Sequence, residues 1–114
     1  MKFLLAIESH SFCVLLFMVL CSGCSSIPSA KNAKAYTVEI KQMKFGPAEL
    51  VLQKGDTVRF INHDLMPHDV TEVSRKAWTS TPIPVDSSWS LVVAETADYY
   101  CSIHPVMKGK ILIQ

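Results

Sequence analysis

From Tyr36 onward, apolar side chains recur at every second position and never at the helical period of about 3.6 residues. Tyr36, Val38 and Ile40 alternate with Thr37, Glu39 and Lys41. After a break at Gly46–Pro47, Leu50 and Leu52 share a face. A turn at Lys54–Gly55–Asp56 leads to Val58 and Phe60, which alternate with Thr57 and Arg59. A short strand is expected from about His68 to Val73, then Trp89, Leu91 and Val93 on one face, Tyr99 and Cys101 on another, and Ile111 and Ile113 on the last. Between them, Ser74 to Ser88 has no usable period and reads as a long connection. Seven to eight strands with no helix leave one economical solution, an all-β antiparallel Greek-key β-sandwich. Its expected core is Val38, Ile40, Leu50, Leu52, Val58, Phe60, Val70, Trp89, Leu91, Val93, Tyr99, Ile111 and Ile113.

The chain of 114 residues has room for one such domain, expected over residues 36–114. Residues 1–23 have the order of parts of an export signal: a weakly basic start, an apolar run from Ser11 to Cys21, then small residues. That run is too short to span a bilayer comfortably. Gly23–Cys24 resembles the end of a bacterial lipoprotein signal, which would lipidate Cys24 and tether the protein to a membrane, although Cys21 stands where such signals prefer Leu. Ordinary cleavage near Ser29 or Ala30 is the alternative. Residues 24–35 are small and polar, as in a flexible tether.

Export and cysteine usage together narrow the chemistry. Cys13, Cys21 and Cys24 lie in or at the signal, so Cys101 stands alone in the domain and no internal disulfide framework exists. Cys101 is then buried and inert, paired with another chain, or holding a ligand. Charges of opposite sign are interleaved, 11 Lys and Arg against 10 Asp and Glu, which excludes the concentrated positive footprint of a nucleic-acid binder.

Cys101-Ser102-Ile103-His104-Pro105-Val106-Met107 places a thiolate, an imidazole and a thioether within one short loop. Thiolate and thioether favour Cu(I), imidazole serves both oxidation states of copper, and a Met ligand is rare in structural zinc sites. A second imidazole is required from elsewhere, and His63 and His68 are the candidates in the domain.

Two segments carry a family resemblance. Cys101 to Met107, followed by Lys108-Gly109-Lys110-Ile111-Leu112-Ile113, resembles the copper loop and last strand of the cupredoxins, and of amicyanin-like members through its short His104-to-Met107 spacing. Asn62-His63-Asp64-Leu65-Met66-Pro67-His68-Asp69-Val70 resembles the segment that supplies the family's first His ligand, and Gly55 to Asn62 the strand leading into it. The resemblance implies a cupredoxin-like sandwich holding one type 1 copper ion on His68, Cys101, His104 and Met107, with His63 a bystander. It implies a one-electron carrier, not an enzyme. Its partners would be redox proteins of the bacterial cell envelope, such as a c-type cytochrome or a periplasmic dehydrogenase or oxidase. The carrier would be a monomer in the periplasm or on the outer face of the cell membrane. A copper-delivery or buffering module is the alternative function.

The resemblance also assigns supporting roles. Met66, Pro67, Pro105 and Val106 would frame His104 as an apolar docking patch. Relatives commonly have Asn at the position of Asp69, where the side chain ties the first His segment to the Cys loop. Here Asp69 would accept a bond from a backbone N–H near Ser102 and add negative charge, favouring Cu(II) and lowering the potential. Glu95 and Ala97 also depart from the family pattern, standing where a turn Gly and a Tyr are frequent.

Overall fold

The computed structural model describes residues 32–114, so the export signal over residues 1–23, Cys24 and most of the tether lie outside the described residues. Eight strands follow: β1 (Ala35–Lys41), β2 (Lys44–Gly46), β3 (Glu49–Leu52), β4 (Thr57–Asn62), β5 (Thr71–Glu72), β6 (Ser88–Val92), β7 (Ala97–Tyr100) and β8 (Lys108–Ile113). They form two four-stranded sheets in the orders β2-β1-β4-β6 and β3-β8-β7-β5. Among the described residues there is no helix, hence none long and apolar enough to cross a membrane.

The pairing is mixed, not antiparallel throughout. β1 runs parallel to β4 with Val38 opposite Phe60, and β3 runs parallel to β8 with Leu52 opposite Ile113. Parallel neighbours arise because the chain leaves the first sheet after β2, lays β3 in the second and returns with β4, a crossover that a hairpin cannot make. The expected strand from His68 to Val73 shrinks to β5. His68 instead makes an isolated bridge with Ile83, and Thr71 another with Thr79, so the aperiodic connection folds back as a strap over this edge.

Alternation places the core as anticipated at Val38, Ile40, Leu52, Val58, Phe60, Val70, Val93, Tyr99 and Ile111, all buried, while Leu50, Trp89, Leu91 and Ile113 pack against it half-covered. Phe45, Ile83, Cys101 and Met107 join the buried set. The centre is aromatic. Tyr99 meets Phe45 and Phe60 edge-on, with ring centroids 4.9 and 5.4 Å apart, and Trp78 and Trp89 extend the cluster outward. Burial of such side chains contributes about 1.5–3 kcal/mol each, and the edge-to-face geometry adds to it. Tyr99 fits because Gly109, its cross-strand partner, has no side chain: a Cβ there would overlap the tyrosine ring.

Three polar clamps fix the connections. Gly55 turns at φ 93°, and the buried Asp56 beside it accepts the N–H groups of Lys34 at 2.8 Å and Gln53 at 2.9 Å. These bonds, that from Lys34 foremost, hold the Asp56 carboxyl below its ordinary range. Glu72 accepts the Ser74 hydroxyl and the N–H groups of Ser74, Arg75 and Ala77, pinning the start of the strap. Asn62 donates from Nδ2 to the carbonyls of Met66 and Ile83, both at 2.9 Å, and accepts the Asp64 N–H at Oδ1. That third clamp shapes the loop carrying His68.

Candidate metal centre

The end of the sandwich where β4 and β7 stop and β8 starts gathers the chemistry. His68 lies between β4 and β5, Cys101 directly follows β7, and His104 and Met107 occupy the loop that leads into β8. Two backbone bonds close that loop on itself: the Met107 N–H donates to the His104 carbonyl at 3.0 Å, and the Cys101 N–H donates to the Met107 carbonyl at 3.1 Å. The short spacing from Cys101 to Met107 thus forms a compact ring that aims its side chains at one point.

Nδ1 of His68 is 3.8 Å from Sγ of Cys101, Nδ1 of His104 is 3.9 Å from the same sulfur, and the two nitrogens are 3.1 Å apart. His68, Cys101 and His104 are the one His, Cys, Asp or Glu group among the described residues whose ligand atoms converge in this way. A point equidistant from three atoms so separated lies about 2.1 Å from each, inside the roughly 2.0–2.3 Å span of metal bonds to imidazole nitrogen and thiolate sulfur. The donor triangle therefore fits one metal ion. His68, Cys101 and Met107 are fully buried and His104 half-buried, so the fit is to an ion shielded from water on all sides but that of His104.

Each donor is itself held. Nε2 of His68 is 2.9 Å from Oδ2 of Asp64. An ionised carboxylate has nothing to donate, so this nitrogen carries the proton and leaves the Nδ1 lone pair facing Cys101 and His104. Asp64 is in turn fixed by the N–H groups of Met43 at 3.0 Å and Leu65 at 2.9 Å. These bonds, Met43 first, together with the His68 contact keep its carboxyl below the usual range. Sγ of Cys101 accepts the Asp69 N–H at 3.4 Å, and Oδ1 of Asp69 accepts the Ser102 N–H at 2.7 Å. The segments bearing the first histidine and the cysteine are thereby joined in both directions.

His63 lies apart from this set: its side chain is turned outward, with Nε2 3.9 Å from Oε1 of Glu39. Met66, Pro67, Pro105 and Val106 are all exposed on the two loops that carry His68 and His104, and Leu65 at 90% and Ile103 at 45% exposure are further exposed apolar residues of those same loops. Leu65 and Ile103 are evident only once the loops are folded. Asp64 is the supporting residue that sequence reasoning missed; its available signal is a carboxylate four positions before a ligand-like histidine. Of the two departures from the family pattern, Glu95 pairs with Arg75 at 3.1 Å on the surface and Ala97 opens β7 without disturbing its register.

Residues 11–113 match the Cupredoxin-like domain family. Amicyanin of Paracoccus denitrificans is 36% identical over 86 residues, covering 70% of this chain and 66% of that protein. Amicyanin of Paracoccus versutus is 31% identical over 88 residues, covering 72% and 67%. The chain thus spans about two thirds of the length of these relatives. Among solved structures, a methionine mutant of amicyanin with Cu(I) superposes with a TM-score of 0.65 at 35% identity, covering 70% of this chain and 82% of that one. A reduced Cu(I) form of a proline mutant of amicyanin at pH 4 gives the same values. The chain belongs to the cupredoxin family. Its likeness within that family is to amicyanins, and the cofactor that its donor set and its family share is one type 1 copper ion.

Proposed function

We propose that this protein is a one-electron carrier of the bacterial cell envelope, and that His68, Cys101, His104 and Met107 are its four copper ligands. The observation that carries the reading is the convergence of two imidazole nitrogens and a thiolate on one point, with Met107 buried in the same loop. Copper in such a set supplies reversible exchange of one electron between Cu(II) and Cu(I). The chain's part is to hold the donors still. Asp64 fixes the His68 ring, the Asp69 N–H fixes the Cys101 sulfur, and the closed loop fixes His104 and Met107. Donors anchored in this way need not move when the charge changes, which is the requirement for rapid transfer. With these four groups as ligands, protein would fill every position and leave none open to a substrate, so the reading is a carrier and not an enzyme.

His104 is the one donor not fully buried, and in this reading the exposed Met66, Pro67 and Leu65 of the His68 loop and Pro105, Val106 and Ile103 of its own loop form an apolar rim beside it. That rim suits brief docking of a redox partner, a c-type cytochrome or a periplasmic dehydrogenase or oxidase, because transient redox contacts are small. In this reading residues 1–23 are the export signal, Cys24 the lipidated end and residues 24–35 the tether of a monomeric domain over residues 36–114, and the carrier works in the periplasm or on the outer face of the cell membrane.

Voltammetry and self-exchange measurements on the copper-loaded protein test the function. A reversible one-electron couple with fast self-exchange is expected. Slow exchange combined with rapid handover of copper to an apo-protein acceptor would favour copper delivery instead.

A further inference from the structure

The chain enters the sandwich at the end opposite the donors. Ala35 opens β1 beside Thr57, the first residue of β4, and Thr57 lies opposite Val92 at the end of β6, whereas Ile40 pairs with Asn62 next to the His68 loop. At about 3.3 Å per residue, β1 separates the two ends by about 20 Å. Backbone bonds gather four cations at the entry end, although they are scattered in the sequence. The Lys34 N–H donates to Oδ1 of Asp56 at 2.8 Å, the Val93 N–H to the Asp56 carbonyl and the Gly55 N–H to the Val93 carbonyl, both at 2.8 Å, and Nη2 of Arg75 lies 3.1 Å from Oε2 of Glu95. Lys34, Lys54, Arg75 and Lys76, all exposed, thus flank the turn between β6 and β7. Of the carboxylates there, Asp56 and Glu72 are buried under their own donors, and Glu95 alone is exposed, paired with Arg75. The donor end presents a different surface, with Lys41, Lys44 and Lys108 set against the exposed Glu39 and Asp86 and beside the apolar loops.

We propose that the entry end is a docking face for anionic lipid headgroups, which seats Lys34, Lys54, Arg75 and Lys76 against a membrane and turns His104 away from it. Two observations favour a membrane as the occupant. The face surrounds the point where residues 24–35 join the domain, and a flexible chain of that length spans about 20 Å, so a membrane that holds Cys24 is the surface this end meets. Three of the four cations are lysines, compact charges on flexible stems that suit a fluid layer of phosphates, where a fixed carboxylate partner would favour the planar fork of arginine. The inference rests on the lipid-tether reading above and goes beyond it. An acyl group decides that the protein stays at a membrane, whereas the cations decide which end faces it, each strengthening attachment about fivefold. With this end seated, the donor end stands clear of the headgroups and His104 is open to a soluble redox partner.

The test uses the mature chain from residue 24 carrying Cys24→Ser, which no acyl group can hold, and vesicles of phosphatidylcholine with and without phosphatidylglycerol. Co-sedimentation at low ionic strength is compared for this protein, for the entry-end variant Lys34→Gln/Lys54→Gln/Lys76→Gln, and for the donor-end variant Lys41→Gln/Lys44→Gln/Lys108→Gln, which has the same net charge. All six lysines are exposed, so both variants are expected to keep the parent melting temperature. The parent should bind only vesicles containing phosphatidylglycerol and be released by salt. The entry-end variant should lose about 100-fold in partitioning, and the donor-end variant far less. Absence of binding, binding indifferent to phosphatidylglycerol, or equal losses in the two variants would overturn the docking face. The mass of the exported wild-type protein tests the tether separately: an unmodified Cys24 would overturn the lipid-tether reading and leave the vesicle result to decide the docking face.

Discussion

One oxygen of Asp64, Oδ2, lies 2.9 Å from Nε2 of His68 and also accepts the Met43 N–H at 3.0 Å. Met43 is the second residue of a two-residue hairpin, Gln42–Met43, in which both residues have positive φ, 52° and 59°. Residues with a Cβ rarely adopt that conformation, and it persists only where its surroundings enforce it. A single carboxylate thus ties a strained turn to the ring of His68.

Asp64→Ala is predicted to leave the Met43 N–H and the His68 Nε2–H without their acceptor. The loss should destabilise the fold by about 1–3 kcal/mol and weaken copper binding about 10–100-fold. Chemical denaturation and chelator competition measure the two effects. Unchanged copper affinity would show that His68 is oriented without Asp64.

Acid stability should depend on Glu72. Its bonds from the Ser74 hydroxyl and the N–H groups of Arg75, Ala77 and Ser74 lower its pKa from an ordinary 4.5 to about 2. A carboxylate whose pKa is depressed by folding stabilises the native state above the unfolded value, and that contribution is lost as pH falls through the folded one. Wild type should therefore lose this stability progressively between about pH 4.5 and pH 2. Glu72→Gln should be less stable at neutral pH and show a flatter dependence over that interval. Denaturation midpoints across the range test it, and parallel curves for the two proteins would contradict it.

Gly109→Ala places a methyl group into the ring of Tyr99, which Phe45, Phe60 and Trp78 confine on its other sides. Overpacking of this kind costs about 1–3 kcal/mol, read as a lower denaturation midpoint. Tyr99→Phe should cost little, because the Tyr99 hydroxyl is buried with no hydrogen-bond partner.

The sequence makes the donors legible because thiolate, imidazole and thioether in one short loop seldom coincide without a metal, and the faces of the strands legible because alternation states them directly. It does not state partners: a period of two looks the same in parallel and antiparallel neighbours, so the parallel β1–β4 and β3–β8 pairs are invisible in it. The Gln42–Met43 hairpin escapes because it lacks the Asn or Gly that such turns favour, and is held instead by the distant Asp64. Ile83 lies between two prolines in an aperiodic stretch and Phe45 beside the Gly46–Pro47 break, so their burial depends on where the strap and the short β2 are laid, not on any local pattern.

The two candidate histidines give opposite predictions. His68→Ala should abolish the copper-thiolate absorption, since this buried ring faces Cys101 and His104. His63→Ala should retain it, since that ring faces solvent near Glu39. The reverse pattern would overturn the ligand assignment.

The most direct measurement is the visible absorption and electron-spin spectrum of the protein loaded with Cu(II). Two imidazoles and a buried thiolate converging on one ion predict an intense thiolate-to-copper band that Cys101→Ser removes. A colourless protein with a tetragonal copper spectrum would contradict the account.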